Sequence, residues 1–535
     1  MTRWDDSWPP MRLEAHFGDR VLRCFAERPR SLYALLADSA RAHPQREALV
    51  CAGERICWEE LRLRCASLAG AMAQRGIGAG DRVAMLIANR NEFVITLFAI
   101  AQIGAITVPL STREQTPGLA FMLGDCAAVM LVHDAELGDR LPAAADLPAL
   151  RHRLCLGDGV GPDNFAGWLA PDATPVPAAV AEEDVCVIMY TSGTTGNPKG
   201  ATLTHLGIAH SAMHYQIAMG LSERDASIAA VPLSHVTGLV AMVATMARCA
   251  AKLVIMPAFK AADFLPLAAR EAMTHTLMVP AMYKLCLMQP DFDRHNLSAW
   301  RVGAFGGAPM PMATISSLAE KAPGLTLMNC YGSTETTSPT TLMPQGQGVA
   351  HIDSVGRCLA CAEVAVFDDD GNEVAAGQLG EIWIRGPMVV KDYWGNPQAT
   401  RANFSGGFWH SGDIGCIDAD GYVKVVDRKK DMINRGGYKI YTIEVENALY
   451  AHPAVLECAV VAKPCPVLGE RVHAFVTLRE AGTQAHELIA FCASRLSDYK
   501  VPESFSLSET PLPRNANGKL VKRALRDQIV AAPAA

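Results

Sequence analysis

The 535-residue chain has no surplus of positive charge: 48 Lys and Arg stand against 55 Asp and Glu, a formal net charge of −7. Broad nucleic-acid binding needs a basic face, so a nucleic-acid partner is not expected. Although cysteines number 16, they give a single CxxC spacing, Cys358-Leu-Ala-Cys361, with no second pair and no Cys/His cluster at zinc spacing. They read as buried thiols in a reducing cytoplasm. The opening residues, MTRWDDSWPPMRLEAHFGDR, lack the apolar core of a secretory signal. The run Phe93–Thr112 is charge-free over 20 residues, but Gln102, Gly104 and Pro109 interrupt it. It therefore reads as a buried helix over 93–103 and a strand over 105–110, not as a membrane span. A cytoplasmic protein without an integral membrane segment is expected.

What is present is ordinary globular material, 50% hydrophobic and 19% charged, in a chain long enough for two to four domains. Residues 1–30 read as a polar N-terminal arm. Beyond them helical patterns such as Leu61–Gln74 alternate with short apolar runs such as Arg82–Ile87, which favours α/β layers with largely parallel sheets. Residues 137–180, rich in Ala, Pro, Asp and Gly, read as connections. From about 355 to 426 the texture turns to β, with Glu363–Phe367, Gly380–Arg385 and Tyr422–Val426 bounded by Asp-Gly and Gly-Pro turns. The charged cluster Asp427-Arg-Lys-Lys-Asp431 marks the main boundary before a final α/β segment.

The most informative stretch is Tyr190-Thr-Ser-Gly-Thr-Thr-Gly-Asn-Pro-Lys-Gly200, which follows the apolar run Val185–Tyr190. Gly193 and Gly196 let the backbone approach an anion closely. Thr191, Ser192, Thr194, Thr195 and the Lys199 ammonium can then surround phosphate oxygens. A Walker A loop is excluded because Gly200 follows Lys199 where a Mg²⁺-binding Ser or Thr would be required. Further along stand Gly303-Ala-Phe-Gly-Gly-Ala-Pro309, Asn329-Cys-Tyr-Gly-Ser-Thr-Glu-Thr336, His410-Ser-Gly-Asp-Ile-Gly415, Arg435-Gly-Gly-Tyr-Lys-Ile440 and Pro513-Arg-Asn-Ala-Asn-Gly-Lys519. Each alone reads blandly as a turn, a cap or a solvated tail.

In this order they resemble the adenylate-forming superfamily of acyl-CoA synthetases, adenylation domains and beetle luciferases, and within it the fatty-acid and coumarate CoA ligases. The resemblance spans about residues 30–525. It implies an α/β fold: a large N-terminal domain (31–427) of two layered α/β sheets plus a β-barrel-like subdomain (about 355–426). A hinge at 428–430 would lead to a small, mobile α+β C-terminal domain (431–535). It implies ATP, Mg²⁺ and coenzyme A, with the phosphate loop and Lys199 on the β- and γ-phosphates and Gly306, Gly307, Ala308 and Pro309 along the adenine. Asn329, Cys330, Tyr331 and Gly332 would line the nucleotide, with Tyr331 stacking on the base. Thr334 would bond the α-phosphate, and Glu335, with Thr191 beside it, would hold Mg²⁺. Asp413 and Arg428 would meet the ribose, Lys430 would be the hinge, and Gly436 and Gly437 would approach CoA. Lys519 would bridge the substrate carboxylate and the α-phosphate. Tyr441-Thr442 departs from the family, where many relatives carry Ser-Pro or Pro.

The same resemblance places His235, in Pro232-Leu-Ser-His-Val-Thr-Gly238, beside the substrate carboxylate, with an ordinary turn histidine as the alternative. Val236, Leu239, Val240, Gly303, Phe305, Ala308, Cys330 and Ser338 would line an acyl pocket. They are neutral and small or apolar, and a second carboxylate would want a buried arginine. A medium-chain, alicyclic or aryl monocarboxylic acid is therefore expected. A malonate- or oxalate-type acid is the alternative should Arg301, Lys260 or Arg248 lie nearer. CoA is favoured over a carrier protein as acceptor because no carrier domain follows, and a homodimer is left open.

Overall fold

The structure is a computed structural model and describes residues 8–157, 164–169, 175–191, 197–479, 482–514 and 520–531. The chain divides into two compact units, one of residues 1–364, 383–410 and 419–423, the other of residues 365–382, 411–418 and 424–535.

In the first unit, side-chain alternation along the strands accounts for the layering. A nine-stranded sheet has the order Arg357–Cys358, Thr341–Leu342, Thr326–Tyr331, Val302–Gly306, His275–Met278, Ala226–Ala229, Lys252–Ile255, Glu47–Cys51, Glu54–Cys57. Its interior neighbours pair in parallel and its edges antiparallel. Successive residues point to opposite faces. Val302, Ala304, Met328 and Leu253 thus enter the main core, while Phe305, Met278, Val254 and Ile228 enter a second cluster with Trp300 and Tyr283. The six-stranded sheet does the same. Its order is Lys199–Thr204, Val185–Thr191, Ile106–Pro109, Arg82–Leu86, Met130–Asp134, His152–Leu156. Val83, Met130 and Val187 face the main core, and Ala84, Leu131 and Ile188 face a third cluster.

The main core therefore lies between the two sheets, filled by the helices Leu32–Ala42, Trp58–Gln74, Asn91–Gln102 and His205–Ala218. This position explains the charge-free run near residue 93. Asn91–Gln102 is buried on nearly every side, and a helix with no solvent face carries no polar stripe. The run then continues as the strand Ile106–Pro109, as its interruptions suggest.

Residues 137–180 are more than connections. His152–Leu156 is the edge strand beside Met130–Asp134, and Phe165–Trp168 is a short helix. The strand shows little alternation because His152, Arg153 and Cys155 are half-buried at the sheet edge. Within 1–30, Met11–His16 and Arg20–Phe25 form an antiparallel hairpin. Arg28, buried beneath it, bonds Glu14 at 2.7 Å and Glu182 at 2.7 Å.

A five-stranded sheet has the order Glu363–Phe367, Gly380–Arg385, Phe408–Ile417, Phe404–Ser405, with Val423–Arg428 beside Phe408–Ile417. In the second unit another sheet runs Tyr438–Ile440, Ile433–Arg435, Gly469–Leu478, Val455–Cys465, with Ser504–Ser508 parallel to Gly469–Leu478. The helices Thr442–Tyr450 and Ala485–Ala493 cover it through Val445, Leu449, Leu488 and Cys492. Among the described residues, no helix is long and apolar enough to cross a membrane.

Candidate active site

Two antiparallel strands, Val185–Thr191 and Lys199–Thr204, bring Thr191 opposite Lys199. Ser192, Gly193, Thr194, Thr195 and Gly196 of the expected phosphate loop lie outside the described residues, as does Lys519. The described rims of the loop converge on Glu335, which is only 8% exposed. Its carboxylate accepts the Tyr393 hydroxyl at 3.0 Å on Oε1 and the Ser333 hydroxyl at 2.5 Å on Oε2. The Thr191 hydroxyl lies 3.5 Å from Oε1. Lys199 Nζ sits 5.1 Å from the centre of the Tyr393 ring, within cation–π range.

This corner fits a polyphosphate carrying a divalent cation. A buried carboxylate oriented by hydroxyl donors is a hard-oxygen ligand whose geometry is fixed beforehand. Thr334, also buried, precedes it. Two residues beyond Glu335, Thr337 and Ser338 adopt positive φ of 50° and 37°, backbone conformations that non-glycine residues hold only where surroundings impose them. The Tyr215 and Ser338 hydroxyls bond each other at 2.7 Å, and burial pushes the Tyr215 phenol well up.

Gly306, Gly307, Ala308 and Pro309 leave the end of the strand Val302–Gly306 and turn outward, the last three exposed. A Cβ on Gly306 would lie 2.4 Å from the Cys330 carbonyl oxygen, so only glycine lets these neighbouring strand ends, Gly306 and Cys330, pair. Asn329, Cys330 and Tyr331 close the adjacent strand, and Gly332 follows exposed. The edge expected along adenine and the carboxylate corner thus follow the ends of two neighbouring parallel strands, where α/β sheets ordinarily bind ligands.

The expected acyl-pocket residues fall on two faces of the nine-stranded sheet. Val236, Leu239, Val240 and Cys330 belong to the main core, and burial raises the Cys330 thiol well above its usual range. Phe305 lies in the opposite cluster with Tyr283 and Trp300. Gly303 faces Leu325, Leu327 and the Tyr283 hydroxyl. His235 sits half-buried just before the π-helical turn Thr237–Ala244, its Nδ1 accepting the Thr237 N–H at 3.4 Å. Arg301 is committed elsewhere, bonding Asp225 at 2.8 Å and the carbonyls of Met219 and Gly220. Lys260 is exposed at the start of the helix Ala261–Arg270, and Arg248 lies in the helix Thr245–Cys249.

In the second unit, the Asp413 carboxylate is buried and paired with the Arg428 guanidinium at 2.7 Å. Arg428 also donates to the Ser411 carbonyl at 3.2 Å. The exposed Lys430 offers its carbonyl to Arg526 at 3.3 Å. Gly436 and Gly437 form the two-residue turn joining Ile433–Arg435 to Tyr438–Ile440, with φ of 58° and 95°; such a turn requires left-handed residues at both positions.

Tyr393, Ser333, Tyr215 and Trp409 were not singled out from the sequence. Tyr393 stands in Val389-Val-Lys-Asp-Tyr-Trp394, where its only signal is an aromatic pair after two charged residues. Its partner Glu335 lies 58 residues away, so nothing local announces the contact.

Residues 36–394 match the family described as AMP-binding enzyme, and residues 444–519 match the AMP-binding enzyme C-terminal domain. A feruloyl-CoA synthase of Amycolatopsis sp is 35% identical over 489 residues, covering 91% of this chain and 96% of that protein. A long-chain-fatty-acid–CoA ligase of Mycobacterium tuberculosis is 34% identical over 469 residues, 87% of this chain and 91% of that protein. Among solved structures, the anthranilate CoA ligase AuaEII in complex with anthranoyl-AMP superposes with a TM-score of 0.87 at 27% identity, covering 94% of this chain and 97% of that chain.

Proposed function

The chain belongs to the AMP-binding enzyme family, and on that premise we propose that it joins a medium-chain, alicyclic or aryl monocarboxylic acid to coenzyme A. It is an AMP-forming acid–CoA ligase. The observation that carries the reading is the approach of Thr191 and, through the Tyr393 ring, of Lys199 to the hydroxyl-bound carboxylate of Glu335.

The reaction begins with two anions. A carboxylate oxygen attacks the α-phosphorus of ATP, the bond to the bridging oxygen of pyrophosphate breaks, and an acyl-adenylate forms. Fixed cations lower this barrier because they stand where charge develops. Lys199 faces the β- and γ-phosphates and holds its ammonium on the Tyr393 ring until they arrive. Glu335 would hold the Mg²⁺, which when bound would screen the phosphate charge. Asp413 accepts the ribose hydroxyls, with Arg428 keeping the carboxylate oriented. Lys519, outside the described residues, would supply the cation between substrate carboxylate and α-phosphate. In the second step the CoA thiol, giving up its proton, attacks the acyl carbonyl and AMP departs. Rotation of the C-terminal domain about Lys430 would exchange Lys519 for the Gly436-Gly437 turn between the two steps.

The acid class rests on the neutral, apolar character of Val236, Leu239 and Cys330 and on the engagement of Arg301 with Asp225. Two of the relatives are named for aryl acids, feruloyl and anthranilate, and one for a long-chain fatty acid; the first two support the aryl part of this class. The test is pyrophosphate release over a panel of carboxylic acids with and without CoA, products identified by mass spectrometry. Turnover with aryl or medium-chain acids and CoA is expected; AMP formation only with malonate or oxalate would overturn the acid class. Lys519→Ala is expected to abolish adenylation while leaving thioester formation from supplied acyl-adenylate; equal loss of both half-reactions would refute the division of labour.

A further inference from the structure

The strip Val390–Trp394 touches both halves of the nucleotide corner. Towards the carboxylate, the Val390 N–H donates to the Glu335 carbonyl at 2.9 Å and the Tyr393 hydroxyl donates to Glu335 Oε1 at 3.0 Å. Towards the phosphate loop, the Trp394 N–H donates to the Gly200 carbonyl at 2.7 Å, and the Thr202 hydroxyl donates to the Asp392 carboxylate at 2.7 Å. Tyr393 stands at the middle of this strip, nearly buried, with Lys199 over its ring and the Trp409 indole N–H 3.4 Å from its oxygen. One side chain thus meets the lysine of the loop through its π face and the acidic residue through its hydroxyl.

We propose that Tyr393 is a positioning residue that sets the spacing of Lys199 and Glu335, so that one polyphosphate and its divalent cation engage both. The proposal rests on the roles given above to those two residues. The Tyr393 hydroxyl donates to the Glu335 carboxylate. On Oε1, together with the Ser333 hydroxyl on Oε2, it fixes the carboxylate plane; outer partners of this kind are worth about 10–100-fold in metal affinity. The ring holds the ammonium on the loop side before any phosphate is present.

The two contacts separate experimentally. Tyr393→Phe removes the hydroxyl and keeps the ring, whereas Tyr393→Leu removes both. Mn²⁺ binding to the protein with α,β-methylene-ATP is measured by electron paramagnetic resonance, and nucleotide binding without metal by calorimetry. For Tyr393→Phe, Mn²⁺ affinity is expected to fall about tenfold while metal-free nucleotide affinity stays within twofold. For Tyr393→Leu, metal-free nucleotide affinity should fall as well, since Lys199 loses its platform. The double variant Tyr393→Phe/Glu335→Gln should bind Mn²⁺ no more weakly than Glu335→Gln alone. Wild-type Mn²⁺ affinity in Tyr393→Phe, or equal loss of metal and metal-free nucleotide binding, overturns the proposal. If Glu335→Gln itself leaves Mn²⁺ binding unchanged, it is the assignment of Glu335 that fails. Should Tyr393→Leu not fold, Tyr393→Phe decides alone.

Discussion

At the scale of single residues, the site depends on groups whose partners are already in place. Glu335→Gln keeps shape but removes charge, and one amide cannot accept all the hydroxyls that converge on the carboxylate. Adenylation by Glu335→Gln and by Lys199→Ala is expected to fall about 10²–10³-fold, the usual loss when one preorganised electrostatic group is removed, as read by pyrophosphate release. A structural test lies at Gly238, in the turn after His235. A Cβ there would stand 2.1 Å from the Pro232 carbonyl oxygen, so Gly238→Ala must displace backbone. A destabilisation of about 1–3 kcal/mol is expected from such overpacking, measured as a lower urea midpoint.

At the scale of elements, the helix Thr442–Tyr450 accounts for the departure at Thr442. Proline is welcome at a first helical position because that N–H has no partner within the helix. Here it has one outside: the Asp427 carboxylate accepts the Thr442 N–H and, at 3.0 Å, its hydroxyl. Lys522, first in the helix Lys522–Ala531, joins the cluster by donating to Thr442 Oγ1 and pairing with Glu446, each at 2.7 Å. Burial pushes the carboxyls of both Asp427 and Glu446 up, so each depends on the donors it has. Thr442→Pro removes two donors from a buried acid, and is expected to destabilise the C-terminal unit by about 1–3 kcal/mol despite the favourable φ. Hydrogen exchange of the Gly469–Leu478 strand would report it; unchanged protection would contradict the account.

At the scale of the whole molecule, buried histidines set the response to acid. Burial brings His205, His210 and His275 each down to about 4. His210 donates Nδ1–H to the Leu206 carbonyl and accepts the Phe25 N–H on Nε2, an arrangement only the neutral ring can make. The unfolded chain takes up these protons near pH 6.5. Their contribution is therefore complete above about 6.5 and is lost as pH falls towards about 4, up to about 3 kcal/mol for each ring. Urea midpoints are expected to drop steadily from pH 7 to pH 4.5, and a flat profile would rule this out.

Chain-local patterns were enough to place the strand before the phosphate loop, the helix and strand inside 93–110 and the β texture after 355, because periodicity and turn chemistry are written in neighbouring residues. Motif order singled out Thr191, Lys199, Glu335 and Asp413 as candidates, by residue type. What needed the folded chain was which side of a sheet each residue takes and what it meets there. Phe305 and Cys330, alike in sequence as pocket candidates, enter opposite clusters because register assigns them opposite faces. Tyr393 reaches Glu335, and Thr442 reaches Asp427, only when segments distant in the chain are packed together. Long-range packing carries no short-range signature, and so these partners became legible only in three dimensions.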